Sequence, residues 1–287
     1  MKEEICRNKD WYIVTGANSG IGKAVAEGLA RLGLPVVMLC RNKAKADAAV
    51  QDIKSKVTGA EIKLVIGDLS DNRGVRLAAD ALLADVPKIA AMINNAGIWM
   101  MKRELNADGI ERSFYVNHLA PFLLTNLLIK RLKESKPSRV VNVNAGLYVF
   151  GHVDLERTPC GLDFNMFRTY ANSKIAGVMA VRELSKRLVG TGVTINALHP
   201  GVIKTGLGDT ADLKGKLSKI LKTLFKSPKK GAEPVIYLAT SEEVRDKTGR
   251  FFLLKKEIPV IRSARDDVLS AGLWTLSEKL TRLDVQA

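Results

Sequence analysis

The chain has 287 residues, of which 46% are hydrophobic and 26% charged, as in a globular domain and unlike a disordered or fibrous protein. The formal net charge is +15, but the basic residues are dispersed and no nucleic-acid-binding motif accompanies them, so we expect no nucleic-acid partner. No apolar run approaches the roughly 18 residues of a membrane span, and the N-terminus lacks the apolar segment of a signal peptide, which predicts a cytoplasmic protein.

The cysteines and histidines predict no metal site. Cys6, Cys40 and Cys160 are odd in number and widely spaced, so they indicate neither a disulfide framework nor a CxxC metal site. The three histidines form no HExxH pattern and no cluster with cysteine. We interpret the cysteines as packing residues.

Short apolar runs alternate with segments of helical periodicity along the chain. The predicted strands are 11–15, 35–39, 62–66, 89–93, 139–143, 193–198 and 251–254, and the predicted helices are 22–32, 45–57, 75–84, 107–132 and 170–188. Strands separated by helices pair in parallel through right-handed crossovers. The alternation predicts one α/β domain over 1–287, with a doubly wound, mainly parallel seven-stranded sheet and helices on both faces.

The first predicted strand runs into a glycine-rich turn, TGANSGIG at 15–22, and a helix follows. In such a turn Gly16 permits the tight bend, Gly20 lets the backbone approach a pyrophosphate, and Gly22 lets the helix pack closely with its positive end toward phosphate. A glycine pattern alone also fits an ordinary turn, but its place at the first strand–helix junction favours a dinucleotide. The further predicted contacts in this loop are Asn18, Ser19 and Ile21.

The end of the second strand bears on which dinucleotide binds. NAD-binding folds carry an acidic residue there for the ribose 2′-hydroxyl, whereas this chain has Arg41, followed by Lys43 and Lys45. These cations suit a 2′-phosphate, so the sequence predicts NADP(H). The alternative is a solvated helix start with a few lysines, which would leave NAD possible.

Later motifs extend the pattern over the whole chain: NNAG at 94–97, YxxxK from Tyr170 to Lys174, and HPG at 199–201. Together with the glycine loop they resemble the short-chain dehydrogenase/reductase family, and the segments 227–241 and 248–251 resemble its retinol-dehydrogenase-like branch. The resemblance implies a Rossmann-type fold and hydride transfer between a nicotinamide cofactor and an apolar small-molecule substrate.

The resemblance also implies further cofactor contacts. Asp68 and Leu69 resemble the pair that contacts the adenine, and Asn95, Ala96 and Gly97 resemble the stretch that lines the cofactor. Asn94, the first residue of this motif, fits a role in tying strands together rather than in contacting the cofactor. The remaining implied cofactor residues are Val143, Tyr170, Lys174, Pro200, Gly201, Ile203 and Thr205.

Tyr170 and Lys174 are the predicted proton-transfer pair, since side chains one helical turn apart reach the same side of a site. An ammonium near a phenol favours the phenolate, so we expect the pKa of Tyr170 to fall from about 10 toward neutrality. Asn117 resembles the family's asparagine that anchors a proton-relaying water.

One member of the implied catalytic set is missing, because Ala145 stands where the resemblance places a serine that hydrogen-bonds the substrate oxygen. Losing such a donor costs roughly 100- to 1,000-fold in rate. Three explanations are open. A substitute donor serves, with Tyr148 preferred over Asn144; or the substrate is a quinone or conjugated enone that needs no serine; or catalysis is impaired and the chain is an NADP-binding protein with a sensing or assembly role.

Residues 205–230 interrupt the alternation of strands and helices and include a lysine-rich amphipathic stretch. The resemblance implies a lid over an apolar substrate, and the alternative is peripheral contact of 213–226 with anionic lipid. The sequence leaves the oligomeric state open between monomer and homodimer.

Overall fold

The computed structural model describes residues 10–201 and 227–283, which share a single eight-stranded sheet in the order β3-β2-β1-β4-β5-β6-β7-β8. The strands are β1 (Trp11–Thr15), β2 (Val36–Cys40), β3 (Ile62–Ile66), β4 (Ile89–Asn94), β5 (Ser138–Val143), β6 (Val193–His199), β7 (Phe251–Leu253) and β8 (Lys256–Ile258). Strands β1 to β7 pair in parallel, which confirms the doubly wound sheet. The eighth strand is a correction: β8 pairs antiparallel to β7, and its three residues are too few to give a periodicity signal.

Helices cover both faces of the sheet. They are α1 (Gly20–Arg31), α2 (Lys43–Lys56), α3 (Asn72–Asp85), α4 (Arg112–Phe114), α5 (Ala120–Leu127), α6 (Ile129–Glu134), α7 (Met166–Arg187), α8 (Pro228–Thr240) and α9 (Asp267–Thr281). A π-helical turn, Tyr115–Leu119, joins α4 to α5, and a 3₁₀ turn, Gly146–Phe150, follows β5. In the part of the chain that the structure describes, no helix is both long and apolar enough to cross a membrane.

The predicted helix 107–132 is interrupted. Its first residues form a turn in which the Asn106 side-chain oxygen accepts the backbone N–H groups of Asp108 and Ile110, both at 3.0 Å. Such local side-chain bonds compete with helix formation. The helix begins only after Glu111, whose carboxylate accepts the N–H of Phe114 at 2.8 Å, and it then widens into the π-helical turn that carries Asn117.

Two apolar cores enclose the sheet, because neighbouring side chains of each central strand point to opposite faces. In β2, Val37 and Leu39 enter the core under α3, α5, α7 and α9, whereas Val36 and Met38 enter the core under α1, α2 and α8. Strands buried on both faces read as continuous apolar runs, which is why the sequence showed them clearly.

Candidate active site

The candidate site lies where the strand order reverses. The chain builds the sheet outward from β1 to β3 and then returns to place β4 on the other side of β1. Ligands of open α/β sheets bind at such a switch point, outside the carboxyl ends of the strands. Thr15 connects the carboxyl ends of β1 and β4, since its hydroxyl accepts the N–H groups of Asn95 at 3.0 Å and Ala96 at 2.9 Å.

The glycine turn has the shape of a phosphate cradle. Gly16 and Gly20 have left-handed backbones, with φ of 65° and 55°, which glycine adopts without strain. At Gly22 a Cβ would stand 2.5 Å from the carbonyl oxygen of Gly16 and closer still to the Asn95 amide nitrogen. At Gly20 a Cβ would meet nothing within 4 Å. The turn is therefore packed against the protein at Gly22 and open at Gly20.

The N-terminus of α1 faces this opening without a competing group. Ser19 occupies the N-cap but makes no side-chain hydrogen bond to the helix, and the first turn contains no acidic residue. The peptide N–H groups therefore keep their capacity to bind an anion. Asn18 and Ile21, also predicted here, flank Ser19 and Gly20 in the same turn.

The end of β2 carries exposed cations beside the glycine turn. Cys40 hydrogen-bonds with the backbone of Ala17 and Asn18, and burial raises the pKa of its thiol to about 11. Arg41 and Lys45 are exposed, and neither has a salt-bridge partner among the described residues. The ammonium of Lys43, by contrast, lies 2.7 Å from the Asp47 carboxylate, so its charge is already paired.

Asp68 and Leu69 lie on the same rim, just after β3. Asp68 is exposed and accepts the N–H of Ser70 at 3.0 Å, while Leu69 packs partly against the core. Asn94 ties elements together: its amide donates to the Asn142 oxygen at 2.8 Å and to the Thr125 hydroxyl at 3.1 Å.

Asn117 holds the loop after β4 against helix α7. Its amide oxygen accepts the N–H of Ile98 at 2.8 Å, and its amide nitrogen donates to the carbonyl of Ile98 at 2.8 Å and to Ser173 at 2.9 Å. A Cβ at Gly97 would stand 3.1 Å from the Asn117 oxygen and 3.6 Å from the Lys174 ammonium nitrogen. Gly97, Asn117 and Lys174 thus converge, and Ser173 joins them although the sequence analysis did not single it out.

Tyr170 and Lys174 are buried side by side on α7, with relative exposures of 7% and 6%. The Lys174 nitrogen lies 5.4 Å from the centre of the Tyr170 ring. Burial raises the pKa of Tyr170 to about 12 and lowers the pKa of Lys174 to about 8. The predicted fall in the Tyr170 pKa is therefore wrong for the free protein, because desolvation of the phenol outweighs the nearby ammonium.

Trp99 is a site residue that the sequence analysis missed. Its ring stacks on Tyr170 with a centroid distance of 4.5 Å and an angle of 15°, and it meets Phe167 edge-on at 5.4 Å. The indole N–H donates to the carbonyl of Met166 at 3.0 Å, which fixes the ring at the start of α7. No local motif signals this contact, since it joins the loop after β4 to a helix far along the chain.

The segment after β5 corrects one expectation. Tyr148 is only 2% exposed, its ring packs 4.6 Å from that of Phe251, and its hydroxyl hydrogen-bonds with the backbone of Ile261. The 3₁₀ turn rotates this side chain into the core, so the structure gives Tyr148 no place as a substitute donor. Asn144 is also occupied, because its amide nitrogen donates to the Lys174 carbonyl at 3.0 Å and its oxygen accepts the N–H of Ala145 at 2.7 Å.

The end of β6 completes the described part of the site. Val143 of β5 lies opposite Leu198, Pro200 is buried, and Gly201 has a φ of 90°. Ile203 and Thr205, the predicted lipid-contact segment 213–226 and most of the predicted lid 205–230 lie outside the described residues. Of that lid, 227–230 cap and begin α8. Within 10–201 and 227–283, no group of His, Cys, Asp or Glu could hold a metal ion.

Comparisons with known proteins identify relatives of this chain and of its fold. Residues 10–214 match the family described as short chain dehydrogenase. Mouse retinol dehydrogenase 14 is 38% identical over 280 residues, covering 93% of this chain and 84% of its own length. A crystal structure of an uncharacterized protein from Mycobacterium paratuberculosis is 31% identical, with a TM-score of 0.78 over 97% of this chain and 95% of that one.

A second solved structure carries a cofactor. It is that of a protein from Beutenbergia cavernae described as an NAD(P)-dependent gluconate 5-dehydrogenase, with bound NADP at low occupancy. It is 25% identical, with a TM-score of 0.65 over 85% of this chain and 94% of that one.

Proposed function

Since the chain belongs to the short-chain dehydrogenase family, in its retinol-dehydrogenase-like branch, we propose that it is an NADP(H)-dependent oxidoreductase acting on an apolar carbonyl, quinone or conjugated enone. The observation that carries the proposal is the convergence of Gly97, Asn117 and Lys174 beside buried Tyr170, at the end of the strand that adjoins the glycine turn.

The cradle supports a dinucleotide. The space in front of Gly20 and the uncapped N-terminus of α1 suit the pyrophosphate, with Asn18, Ser19 and Ile21 alongside. Arg41 and Lys45, which have no salt-bridge partner among the described residues, suit a 2′-phosphate, and no acidic residue stands at the end of β2 to repel it. When bound, the cofactor supplies the hydride.

The chain's own residues supply the proton and its position. With a pKa of about 12, Tyr170 is a phenol at neutral pH and can donate its proton to the oxygen of a substrate undergoing reduction. Lys174, with a pKa of about 8, is mostly charged at pH 7 and can hold ribose hydroxyls. Asn117 hydrogen-bonds both to Ile98, in the loop after β4, and to Ser173 of α7. It thereby fixes the distance between this loop, which carries Gly97, and the helix, which carries Lys174.

Aromatic side chains around Tyr170 support an apolar substrate. Trp99 presents a flat ring stacked on Tyr170, and Phe167, which contacts Trp99, is 58% exposed. Phe150 is 74% exposed. It lies close to α7, because the next residue, Gly151, packs so tightly against this helix that a Cβ there would collide with the Ala171 carbonyl oxygen. Exposed aromatic rings beside a buried polar pair suit a ligand with a hydrophobic body and one polar end.

Ala145 requires an explanation within this proposal, because it occupies the position that we assign to the substrate-binding serine. Reduction of a conjugated enone or a quinone ring lowers the demand for that donor, since negative charge spreads over the conjugated system. The competing possibility, an NADP-binding protein without turnover, is less favoured because the Tyr170, Lys174 and Asn117 arrangement would then have no use.

The decisive experiment is NADPH oxidation by the purified protein over a panel of apolar ketones, quinones and conjugated enones, with Tyr170→Phe as the control. We expect turnover that falls at least roughly 100-fold in the control, as proton donors contribute about that much. Tight NADPH binding with no turnover on any compound would favour the non-catalytic alternative.

Arg41→Ala tests the choice of NADP(H). We expect the dissociation constant for NADPH to rise roughly 10-fold or more, because one charge-assisted hydrogen-bonding partner contributes about 1.5 to 3 kcal/mol, while NADH binding changes little. Lys43→Ala is the matched control, since that ammonium is paired with Asp47. An unchanged preference between NADPH and NADH in Arg41→Ala would contradict the assignment.

A further inference from the structure

A polar side chain outside the predicted catalytic set lies beside Ala145. His199 ends β6, and its imidazole covers Gly146: a Cβ built on that glycine would stand 3.2 Å from the ring Cδ2 and 3.4 Å from Nε2. Gly146 directly follows Ala145, so the imidazole lies over the residue next to the one to which we assign the lost serine. A side chain at position 146 would therefore press against the ring.

The strand register directs this imidazole toward the catalytic helix. Val143, the last residue of β5, lies opposite Leu198. Asn144 and His199 each follow one of these two residues, and because side chains alternate along extended chain, both point to the face opposite that of Leu198. The Asn144 amide reaches the carbonyl of Lys174 at 3.0 Å, which identifies this face as the one under α7. Leu198 packs into the opposite core. His199 thus faces the helix that bears the proton-transfer pair.

The surroundings of His199 favour a neutral ring with its proton on Nε2. Burial lowers the pKa of His199, and the positive charge of Lys174 lowers it further. The Nδ1 atom is sealed from solvent and has no hydrogen-bond partner in the described part of the chain. An orphaned buried N–H is rarer than an unfilled acceptor. Nδ1 is therefore better left as a lone pair, which makes Nε2 a donor.

Resting on the proposed function, we infer that His199 is a catalytic residue whose Nε2–H donates a hydrogen bond to the substrate carbonyl oxygen in place of the serine hydroxyl missing at Ala145. As hydride from NADPH adds to the substrate carbon, the π electron pair moves onto the oxygen, where the donor stabilises the developing charge. The oxygen then takes the proton of Tyr170, which solvent restores. His199 keeps its own proton, so the products are the reduced substrate and NADP⁺.

The test is a double-mutant cycle of His199→Leu, Ala145→Ser and their combination, with the best compound of the panel. We expect His199→Leu to lower kcat/KM roughly 100-fold alone, but only about 3-fold or less with Ala145→Ser, because the new hydroxyl supplies the donor. His152→Leu, at an exposed histidine, is the matched control and should leave the rate unchanged. Equal losses in both backgrounds would show a packing role and overturn the inference.

A conservative variant separates donation from folding. His199→Gln keeps an N–H donor of similar reach and should retain roughly a tenth or more of the parental kcat/KM, whereas His199→Leu, similar in size, should not. If both variants lose the rate equally while NADPH affinity and thermal stability stay parental, hydrogen-bond donation from this position is refuted.

A ligand titration gives a readout that needs no turnover. Cyclohexylformamide has a carbonyl that accepts a hydrogen bond but is not reduced, and Trp99, stacked on Tyr170, should report its binding by fluorescence. We expect the dissociation constant to rise roughly 3- to 10-fold in His199→Leu, the size of one lost hydrogen bond. Equal dissociation constants in the two proteins would overturn the inference.

Failure of this inference can be told apart from failure of the proposed function. Turnover that is lost in Tyr170→Phe but kept in His199→Leu would remove the role of His199 alone. A parent protein that turns over no compound would remove the proposed reductase activity, and the formamide titration would then decide whether Nε2 still binds a carbonyl oxygen.

Discussion

At the residue scale, burial governs the chemistry of this site more than charge does. Tyr170 and Lys174 share one side of α7, yet burial, which strips water from both groups, shifts both pKa values: it raises the pKa of the phenol to about 12 and lowers the pKa of the ammonium to about 8. Each group is thereby held closer to its neutral form. The free protein is poised to donate a proton from Tyr170 rather than to accept one.

Lys174→Met should stabilise the free protein. The pKa of Lys174 is about 8 in the fold against 10.5 in the unfolded chain, so at pH 7 folding bears a penalty on the order of 3 kcal/mol for a buried charge. That penalty is complete below pH 8 and fades between pH 8 and 10.5, because the folded protein then loses the proton first. We expect a Tm roughly 5 °C higher at pH 7, and a smaller gain at pH 9.5, both measured by thermal unfolding.

Lys186→Met is the control for that comparison. Lys186 lies on the same helix, its side chain is 47% exposed, and its ammonium lies 2.8 Å from the Asp267 carboxylate, which raises its pKa. We expect little change in Tm or a slight loss. A lower Tm for Lys174→Met at pH 7 would contradict the assigned direction of the Lys174 pKa shift.

At the scale of elements, the glycine turn and helix α7 use glycine for opposite reasons. Gly22 lies in the first turn of α1, where a side chain would collide with the backbone of Gly16 and with Asn95. Gly177 lies inside α7, where a Cβ would make ordinary contacts, 3.4 Å from the Asn144 amide nitrogen and 3.8 Å from the Asn117 carbonyl oxygen. The first glycine is required by packing, while the second only weakens its helix.

Alanine at these two positions should therefore have opposite effects. Gly22→Ala should lower the free energy of unfolding by about 1 to 3 kcal/mol through overpacking, and should weaken NADPH binding because the phosphate cradle shifts. Gly177→Ala should raise the free energy of unfolding by about 0.5 to 1 kcal/mol. Urea unfolding and NADPH titration measure both. Parental NADPH affinity in Gly22→Ala would show that the cradle tolerates a side chain there.

At the scale of the whole molecule, the C-terminal helix α9 supports the site from behind. The Trp274 ring meets the Phe122 ring edge-on, with 4.7 Å between the ring centres, and the Arg187 guanidinium lies 4.3 Å from the centre of the Trp274 ring. One turn later, Ser277 hydrogen-bonds with His118 at 2.9 Å, next to Asn117 in the π-helical turn. The last described helix thus closes the core and supports the π-helical turn, whose Asn117 holds the loop after β4 in place.

Trp274→Ala tests this dependence. The ring is 4% exposed, and removing a buried tryptophan typically lowers the free energy of unfolding by about 3 to 5 kcal/mol. Val268→Ala on the same helix is the control, since its side chain is 86% exposed and should matter by less than about 0.5 kcal/mol. Equal urea midpoints for the two variants would show that α9 is not part of the cooperative core.

Local sequence determined the features whose physical cause is local. Doubly buried strands are continuous apolar runs, and the turn after β1 needs glycine at Gly16, so the parallel sheet and the cradle could be read directly. The YxxxK spacing likewise put Tyr170 and Lys174 on one helix face. Strand β8 was not predicted because three residues are too few to show a periodicity. The helix predicted at 107–132 was too long because the Asn106 side chain accepts the backbone N–H groups of Asp108 and Ile110, which holds these residues in a turn.

Tertiary structure alone decided which distant groups meet and how deeply they are buried. The stack of Trp99 on Tyr170, the diversion of Tyr148 into the core and the packing of His199 over Gly146 each join segments far apart in the chain. The pKa of Tyr170 depends on the same thing, since desolvation is set by everything packed around the phenol. The sequence could specify the reactive groups, but their burial, partners and direction follow from packing between elements, which no local pattern encodes.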